Sequence, residues 1–324
     1  MNKLFVMTFT AAGVLASAAD VHAQTYPHRP IRLIVPYAPG GTVDVIARVI
    51  AGPLEAELGQ PTVVDNRGGA SGIIGTDLVA KAAPDGYTML FHTPTIVVNR
   101  SVFKNLPYDI KDFAPVTNTA KGVGYLLVVN SSVPVHSVQE LIAFAKKKDN
   151  PLTYGSTGVG STSTHLATEL FAKSASIRLL PVQYKGVGPA VSALLGGEVQ
   201  LMLLPPTVAV QYIKAGRLRA LGFTSPKRWE NMPDLPTLAE SGLPGFSIAA
   251  GWMGWFAPAR TPVSIINRLQ AAIHNVLQLP KVRDFLTAGG YEAVGDLPAE
   301  FGKFLHSEDK RYRALAREAG IEPQ

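Results

Sequence analysis

Apolar runs of strand length alternate along the chain with stretches whose apolar residues recur every three or four positions, the arrangement of parallel strands covered by helices. The run over 31–37 reads as a strand and 43–58 as its following helix, and 61–65, 71–83 and 87–92 continue as strand, helix and strand. The segment 97–118, rich in Pro, Asn and Asp, reads as loop. A second set opens with a strand over 126–130 and a helix over 138–148. That helix is started by Ser137 with Glu140 three positions on, the spacing of a capping box. Strands over 152–156, 179–184, 199–204 and 219–224 then enclose helices over 162–173 and 189–195, the latter closed by Gly196-Gly197. From 261 the pattern is helical, over 262–279, 281–288 and 298–319, and these helices, lacking strands of their own, are expected to return and cover the first set.

The expected fold is α/β: two lobes, each a mostly parallel sheet flanked by helices. The first lobe is discontinuous, 24–123 and 225–324, and the second is 124–224, with crossings near 118–125 and 224–229. Facing sheets of this kind leave a cleft at the carboxyl ends of their strands, where open α/β sheets bind ligands.

Composition narrows the class. With 47% hydrophobic and 17% charged residues in 324, disorder is excluded, and the absence of Cys excludes disulfides, thiolate metal sites and a cysteine nucleophile. Residues 1–23 read as a secretory leader: Lys3, an apolar stretch over 4–19, and small residues in Val21-His22-Ala23 for cleavage after Ala23. The stretch is too short for a membrane span, so removal of the leader and a soluble protein outside the cytoplasm are expected; a monomer is expected as well. The net charge of +6 is spread without a basic run beyond Lys146-Lys147-Lys148, which reads as a solvated helix end, so nucleic acid is not an expected partner.

Chemistry concentrates in four loops. Pro36-Tyr37-Ala38-Pro39-Gly40-Gly41-Thr42-Val43-Asp44 joins the first strand to its helix, where glycines let a ligand approach unpaired first-turn N–H groups. Asp44 has a capping role there, and an ordinary tight turn fits the same residues. Tyr154-Gly155-Ser156-Thr157-Gly158-Val159-Gly160-Ser161-Thr162-Ser163-Thr164-His165 repeats the pattern in the second lobe. It nearly spells a phosphate loop, but Ser161 stands where the phosphate-gripping Lys is required, which leaves amides and hydroxyls suited to a carboxylate. His165 fits a structural histidine as well as a ligand contact. Tyr184-Lys185-Gly186-Val187-Gly188-Pro189 offers further donors and the Tyr184 hydroxyl, and His92-Thr93-Pro94-Thr95 adds the hydroxyls of Thr93 and Thr95. Trp252 and Trp255 read as core or hinge packing, with a cleft wall as the other option. The catalytic motifs are missing: no G-x-S-x-G, no H-E-x-x-H, no G-x-G-x-x-G after the first strand, and seven His without metal-ligand spacing. No catalytic residue, metal or cofactor is expected.

At these residues the sequence resembles the substrate-binding proteins of tripartite tricarboxylate transporters, the Bug receptors. The shared segments span nearly the whole chain. They include Pro39-Gly40-Gly41-Thr42-Val43-Asp44, Val64-Asp65-Asn66-Arg67-Gly68-Gly69-Ala70, Ala83-Pro84-Asp85-Gly86-Tyr87-Thr88, Leu106-Pro107-Tyr108-Asp109, Pro181-Val182-Gln183-Tyr184-Lys185-Gly186 and Pro236-Thr237-Leu238-Ala239-Glu240-Ser241-Gly242. The resemblance implies a type II periplasmic binding protein whose lobes close on a solute and deliver it to membrane permease subunits. It implies a carboxylate ligand held by backbone amides and ordered waters at residues 37–42 and 156–162. One departure stands out: Leu204 occupies a position where many relatives carry an acidic or amide residue able to meet a ligand ammonium. A small organic carboxylate without an amino group is therefore expected, a dicarboxylate or an aromatic carboxylate among the options. Two other readings stay open: a sensor whose closed form docks on a signalling protein, and an exported enzyme using His92, His165 or Asp44 as base.

Overall fold

The computed structural model describes residues 26–147, 151–157 and 163–318. Its strands are β1 (Ile31–Val35), β2 (Thr62–Asn66), β3 (Thr88–His92), β4 (Phe113–Gly122), β5 (Leu126–Asn130), β6 (Leu152–Ser156), β7 (Leu179–Gln183), β8 (Leu201–Leu204), β9 (Leu218–Phe223), β10 (Trp252–Pro258) and β11 (Tyr291–Ala293). The helices are α1 (Thr42–Leu58), α2 (Ile73–Ala80), α3 (Thr95–Val102), α4 (Val138–Lys147), α5 (Ser163–Ser174), α6 (Val187–Gly196), α7 (Pro206–Lys214), α8 (Val263–Gln278), α9 (Pro280–Ala288) and α10 (Pro298–Glu318). The leader and its cleavage point lie outside the described residues, and no described helix is long and apolar enough to cross a membrane.

The strands form two sheets, one of order β11-β4-β10-β3-β1-β2 and one of order β7-β6-β8-β5-β9. Each has a parallel part, β3-β1-β2 and β7-β6-β8, extended by antiparallel strands, so both sheets are mixed. Strand β1 is an apolar run with Ile31, Leu33, Ile34 and Val35 wholly buried, as a central strand covered on both faces must be. On one face α1 presents Ile46, Ile50, Leu54 and Leu58 at four-residue spacing, and α8 packs beside it through Leu269, Ile273 and Val276. On the other face Leu90, Val97, Phe256 and Phe301 join a core that continues into the second sheet through Leu127, Tyr154, Leu201 and Phe171.

Five elements differ from the sequence expectation. The segment 97–118, expected as loop, carries most of α3 and half of β4. Helix α3 is eight residues long with Ile96, Val97, Val98, Asn99 and Val102 all buried, so it shows no polar face and no helical period. In β4, Thr117, Asn118 and Thr119 are fully buried polar residues whose composition mimics a loop, and Asp296 satisfies part of them: its carboxylate accepts from the Asn118 N–H at 2.7 Å and its carbonyl from Thr117 Oγ1 at 2.8 Å. Helix α7 begins at Pro206, where a missing N–H costs nothing, so Pro205-Pro206 opens a helix. Strand β10 inserts antiparallel between β4 and β3, placing Trp255 in the core. The C-terminal helices do cover the first sheet, and β11 adds a short edge strand among them.

Two crossings connect the sheets. The first is 123–125. The second leaves β9 at Thr224 and reaches β10 at Trp252, with Trp229 stacked on Phe223 and Leu238 buried beside β9. The crossings are laced together: Thr224 Oγ1 accepts from the Tyr125 N–H at 2.8 Å and donates to the Ile248 carbonyl at 2.6 Å, while the Gly251 N–H donates to the Tyr125 hydroxyl at 3.1 Å.

Candidate functional site

Between the sheets lies a cleft of about 880 Å³, within the range of roughly 300–1,000 Å³ common to small-molecule sites. Its first wall begins where β1 ends. Residues 36–43 carry the chain into α1, turning at Gly40 with φ +78°. Asp44 sits behind this turn rather than on the wall. It accepts the Gly40 N–H at 2.9 Å and the Arg48 guanidinium at 3.0 Å. Burial alone would raise its pKa, but these bonds and Asn66 outweigh burial and hold the carboxyl below its ordinary range. Gly41 caps α1 without any side-chain acceptor, so the first-turn amides of Thr42 and Val43 remain as donors at the cleft.

Beside this turn, residues 68–72 supply a stretch of wall that the motif reading did not single out. Gly69, Ala70, Ser71 and Gly72 all have positive φ, at 125°, 45°, 54° and 82°. Asn99 Nδ2 holds the Ser71 carbonyl at 3.1 Å, and Thr76 Oγ1 donates to the Gly72 carbonyl at 2.7 Å. Thr93, Pro94 and Thr95 complete the wall. The Tyr37 hydroxyl lies 2.6 Å from Thr93 Oγ1, and Thr93 donates on to Thr95 at 3.1 Å. Burial raises the Tyr37 phenol to about 12, so it stays a neutral hydroxyl.

His92 ties these pieces together from behind. The hydroxyl hydrogen of Thr76 is committed to Gly72, so Thr76 Oγ1 can only accept from His92 Nε2, 2.9 Å away. The proton therefore sits on Nε2, and Nδ1 accepts the Thr93 N–H at 2.8 Å. Complete burial lowers the imidazole pKa to about 3, so the ring is neutral at any physiological pH.

The second wall comes from the other sheet: Thr157, Thr164, residues 184–189 entering α6, and residues 202–205 at the end of β8, with Leu204 on the lining. Ser156 and His165 lie behind it, joined at 2.9 Å, with the Tyr154 hydroxyl 3.0 Å from His165 Nδ1 and bonded to Glu169. Burial lowers the His165 pKa. Gly158, Gly160, Ser161 and Thr162 lie outside the described residues. Tyr125, Trp252, Met253 and Tyr291 close the base near the crossings.

Of the expected site residues the structure thus brings Tyr37, Ala38, Pro39, Gly40, Gly41, Thr42, Thr93, Thr95, Thr157, Tyr184 and Leu204 onto one cleft, and sets Asp44, Ser156 and His165 behind its walls. Gly68, Gly69 and Ala70 stand in the sequence only as part of a shared segment and not as a site, although Gly68-Gly69 follows a strand as Gly40-Gly41 does. What hid the loop is that Ala70 and Ser71 take left-handed conformations that only tertiary contacts enforce. Among the described residues lining the cleft there is no His, Asp, Glu or Arg. The walls offer amides, hydroxyls, apolar surface and the ammonium of Lys185.

Comparison with known proteins agrees with this geometry. Residues 46–321 match the model of the tripartite tricarboxylate transporter family receptor. The chain is 38% identical over 323 residues to protein BugT of Bordetella pertussis, covering 99% of this chain and 98% of that one. Among solved structures it is similar to R. palustris Rpa4515 with adipate, at 38% identity and a TM-score of 0.88, covering 92% of this chain and all of that one. It is similar also to MatC from Rhodopseudomonas palustris with bound malate, at 29% identity and a TM-score of 0.83, covering 90% of this chain and 99% of that one.

Proposed function

Because this chain belongs to the tripartite tricarboxylate transporter receptor family, we propose that it is a periplasmic receptor. It captures a small organic carboxylate between its two lobes and hands it to membrane permease subunits. The observation that carries this reading is the character of the cleft: donors on both walls and no acidic side chain on the described lining, between sheets joined by two crossings. Similar proteins of known structure hold adipate and malate.

In the proposed mechanism one carboxylate meets the amides at the start of α1, where the helix dipole adds about half a positive charge. Residues 37–42 contribute on this wall and the loop after β6 on the other, directly or through ordered water. Hydrogen bonds to a charged group contribute about 1.5–3 kcal/mol each, so roughly four can outweigh the cost of desolvating and immobilising a small anion and reach micromolar affinity, near −8 kcal/mol. The lobes close because the closed form offers the ligand donors from both walls at once, and only such differential contact shifts a population. With Leu204 on the lining and no carboxylate beside it, a ligand ammonium would be buried unpaired, which argues against amino acids.

Gly41 gives a test. A Cβ there would touch only the Ala38 carbonyl, at 3.6 Å, so Gly41→Val keeps the fold while its side chain blocks ligand approach to the amides. Calorimetry with adipate and malate should show micromolar binding by the wild type, at least about tenfold weaker in Gly41→Val at an unchanged melting temperature. Equal affinities would remove the α1 amides from the site.

A further inference from the structure

Lys185 stands in the loop between β7 and α6, on the cleft lining. Among the described lining residues it bears the only charge. Its side chain is exposed and makes no hydrogen bond or ion pair with the described residues, so nothing in the fold requires its ammonium. The carboxylates nearest in role are committed or turned elsewhere: Asp44 is paired with Arg48 behind the opposite wall, and Glu198 acts on the neighbouring Tyr184, whose phenol it helps burial to raise.

We propose that Lys185 is the specificity-determining residue that makes this cleft select dicarboxylates over monocarboxylates; the proposal rests on the carboxylate-receptor reading above. One carboxylate is satisfied by neutral amides and the dipole of α1. A second, enclosed by the same closure, would lie among hydroxyls and the apolar walls of Met202, Leu203 and Met253, where an uncompensated charge is strongly disfavoured. The ammonium of Lys185 supplies the missing compensation, and its flexible four-carbon stem lets one cleft serve diacids of different length. A ligand with a single carboxylate gives Lys185 nothing to pair with and draws no benefit from it.

The test is calorimetric titration of the receptor with adipate against hexanoate and succinate against butyrate, pairs matched in chain length, for the wild type, Lys185→Gln and Lys185→Arg. The wild type should bind each diacid at least about tenfold tighter than its partner. Lys185→Gln should lose roughly ten- to a hundredfold on the diacids, leave the monoacids within about twofold, and keep its melting temperature. Lys185→Arg should restore most of the diacid affinity. A Lys185→Gln protein that keeps the wild-type preference overturns the proposal, as does a wild type that binds diacids and monoacids alike, and either result leaves the carboxylate reading standing. Absence of binding by all four acids takes down that reading and this proposal with it.

Discussion

His92 is wholly buried and bonded on both ring nitrogens, bridging the Gly72 segment, through Thr76, to the Thr93 backbone beside the Tyr37 hydroxyl. Its neutrality has a measurable consequence. The folded-state pKa of about 3 lies below the ordinary 6.5, so below pH 6.5 the unfolded chain takes up a proton that the folded protein refuses. The contribution is fully present above pH 6.5 and is lost as the pH falls from there toward 3. Replacing His92 by Gln should destabilise the protein at pH 7, and that penalty should shrink by about 2 kcal/mol at pH 5, because the variant no longer loses stability over the interval. Denaturant titrations of both proteins at the two pH values check this, and a penalty independent of pH would show that His92 takes up a proton in the fold as readily as in the unfolded chain. At this scale the sequence was only partly legible. It marked Tyr37, Gly41, Thr93 and Tyr184 by their place after strands, and the structure sets them on the cleft. It offered His165 and Asp44 as contacts with nothing to say whether they face a ligand or the protein. That is decided by partners distant in the chain or on adjoining helix turns, as with Tyr154 for His165 and Arg48 for Asp44.

Helix α2 positions the unusual loop before it by lying close against the end of β1. A Cβ on Gly75 would come within 2.6 Å of the Arg67 carbonyl and 2.9 Å of Pro36 Cβ, both backbone-anchored groups of the site loops. Gly75→Ala should therefore push α2 outward, cost about 1–3 kcal/mol, and weaken carboxylate binding by shifting residues 68–72. Gly302 in α10 is the control: a Cβ there meets only Pro115 Cγ, at an ordinary contact distance of 3.5 Å, so Gly302→Ala should stabilise by about 0.5–1 kcal/mol and leave binding unchanged. Thermal melts with parallel calorimetry separate the two, and equal behaviour would contradict the packing argument. Elements with a clear pattern were legible: β1 as an apolar run buried on both faces, and α1, α4 and α8 by apolar residues recurring at helical spacing. Those that were not share one cause. Helix α3 buries more than one face, β4 buries Thr and Asn as if they were apolar, and α7 opens on prolines, so composition pointed to loop in each case while tertiary partners decided otherwise.

At the scale of the molecule, the two walls belong to different sheets, and the crossings that join them run side by side through Tyr125, Thr224, Ile248 and Gly251. Helix α10 adds a third tie, packing on the first sheet through Phe301 and reaching α5, where Lys173 Nζ donates to the Glu318 carbonyl at 2.5 Å. Trp252, at the base of the cleft, donates from its indole to the buried Glu308 at 2.9 Å, and Arg311 bonds the same carboxylate at 2.7 and 3.0 Å. A base bonded in this way is the part about which the proposed closure would turn. Small-angle X-ray scattering during a titration with adipate reads that motion directly. The radius of gyration should fall in step with calorimetric saturation, whereas Gly41→Val should need at least about tenfold more adipate for the same fall. A wild type that binds the acid with no change in its radius of gyration would contradict capture by two closing walls.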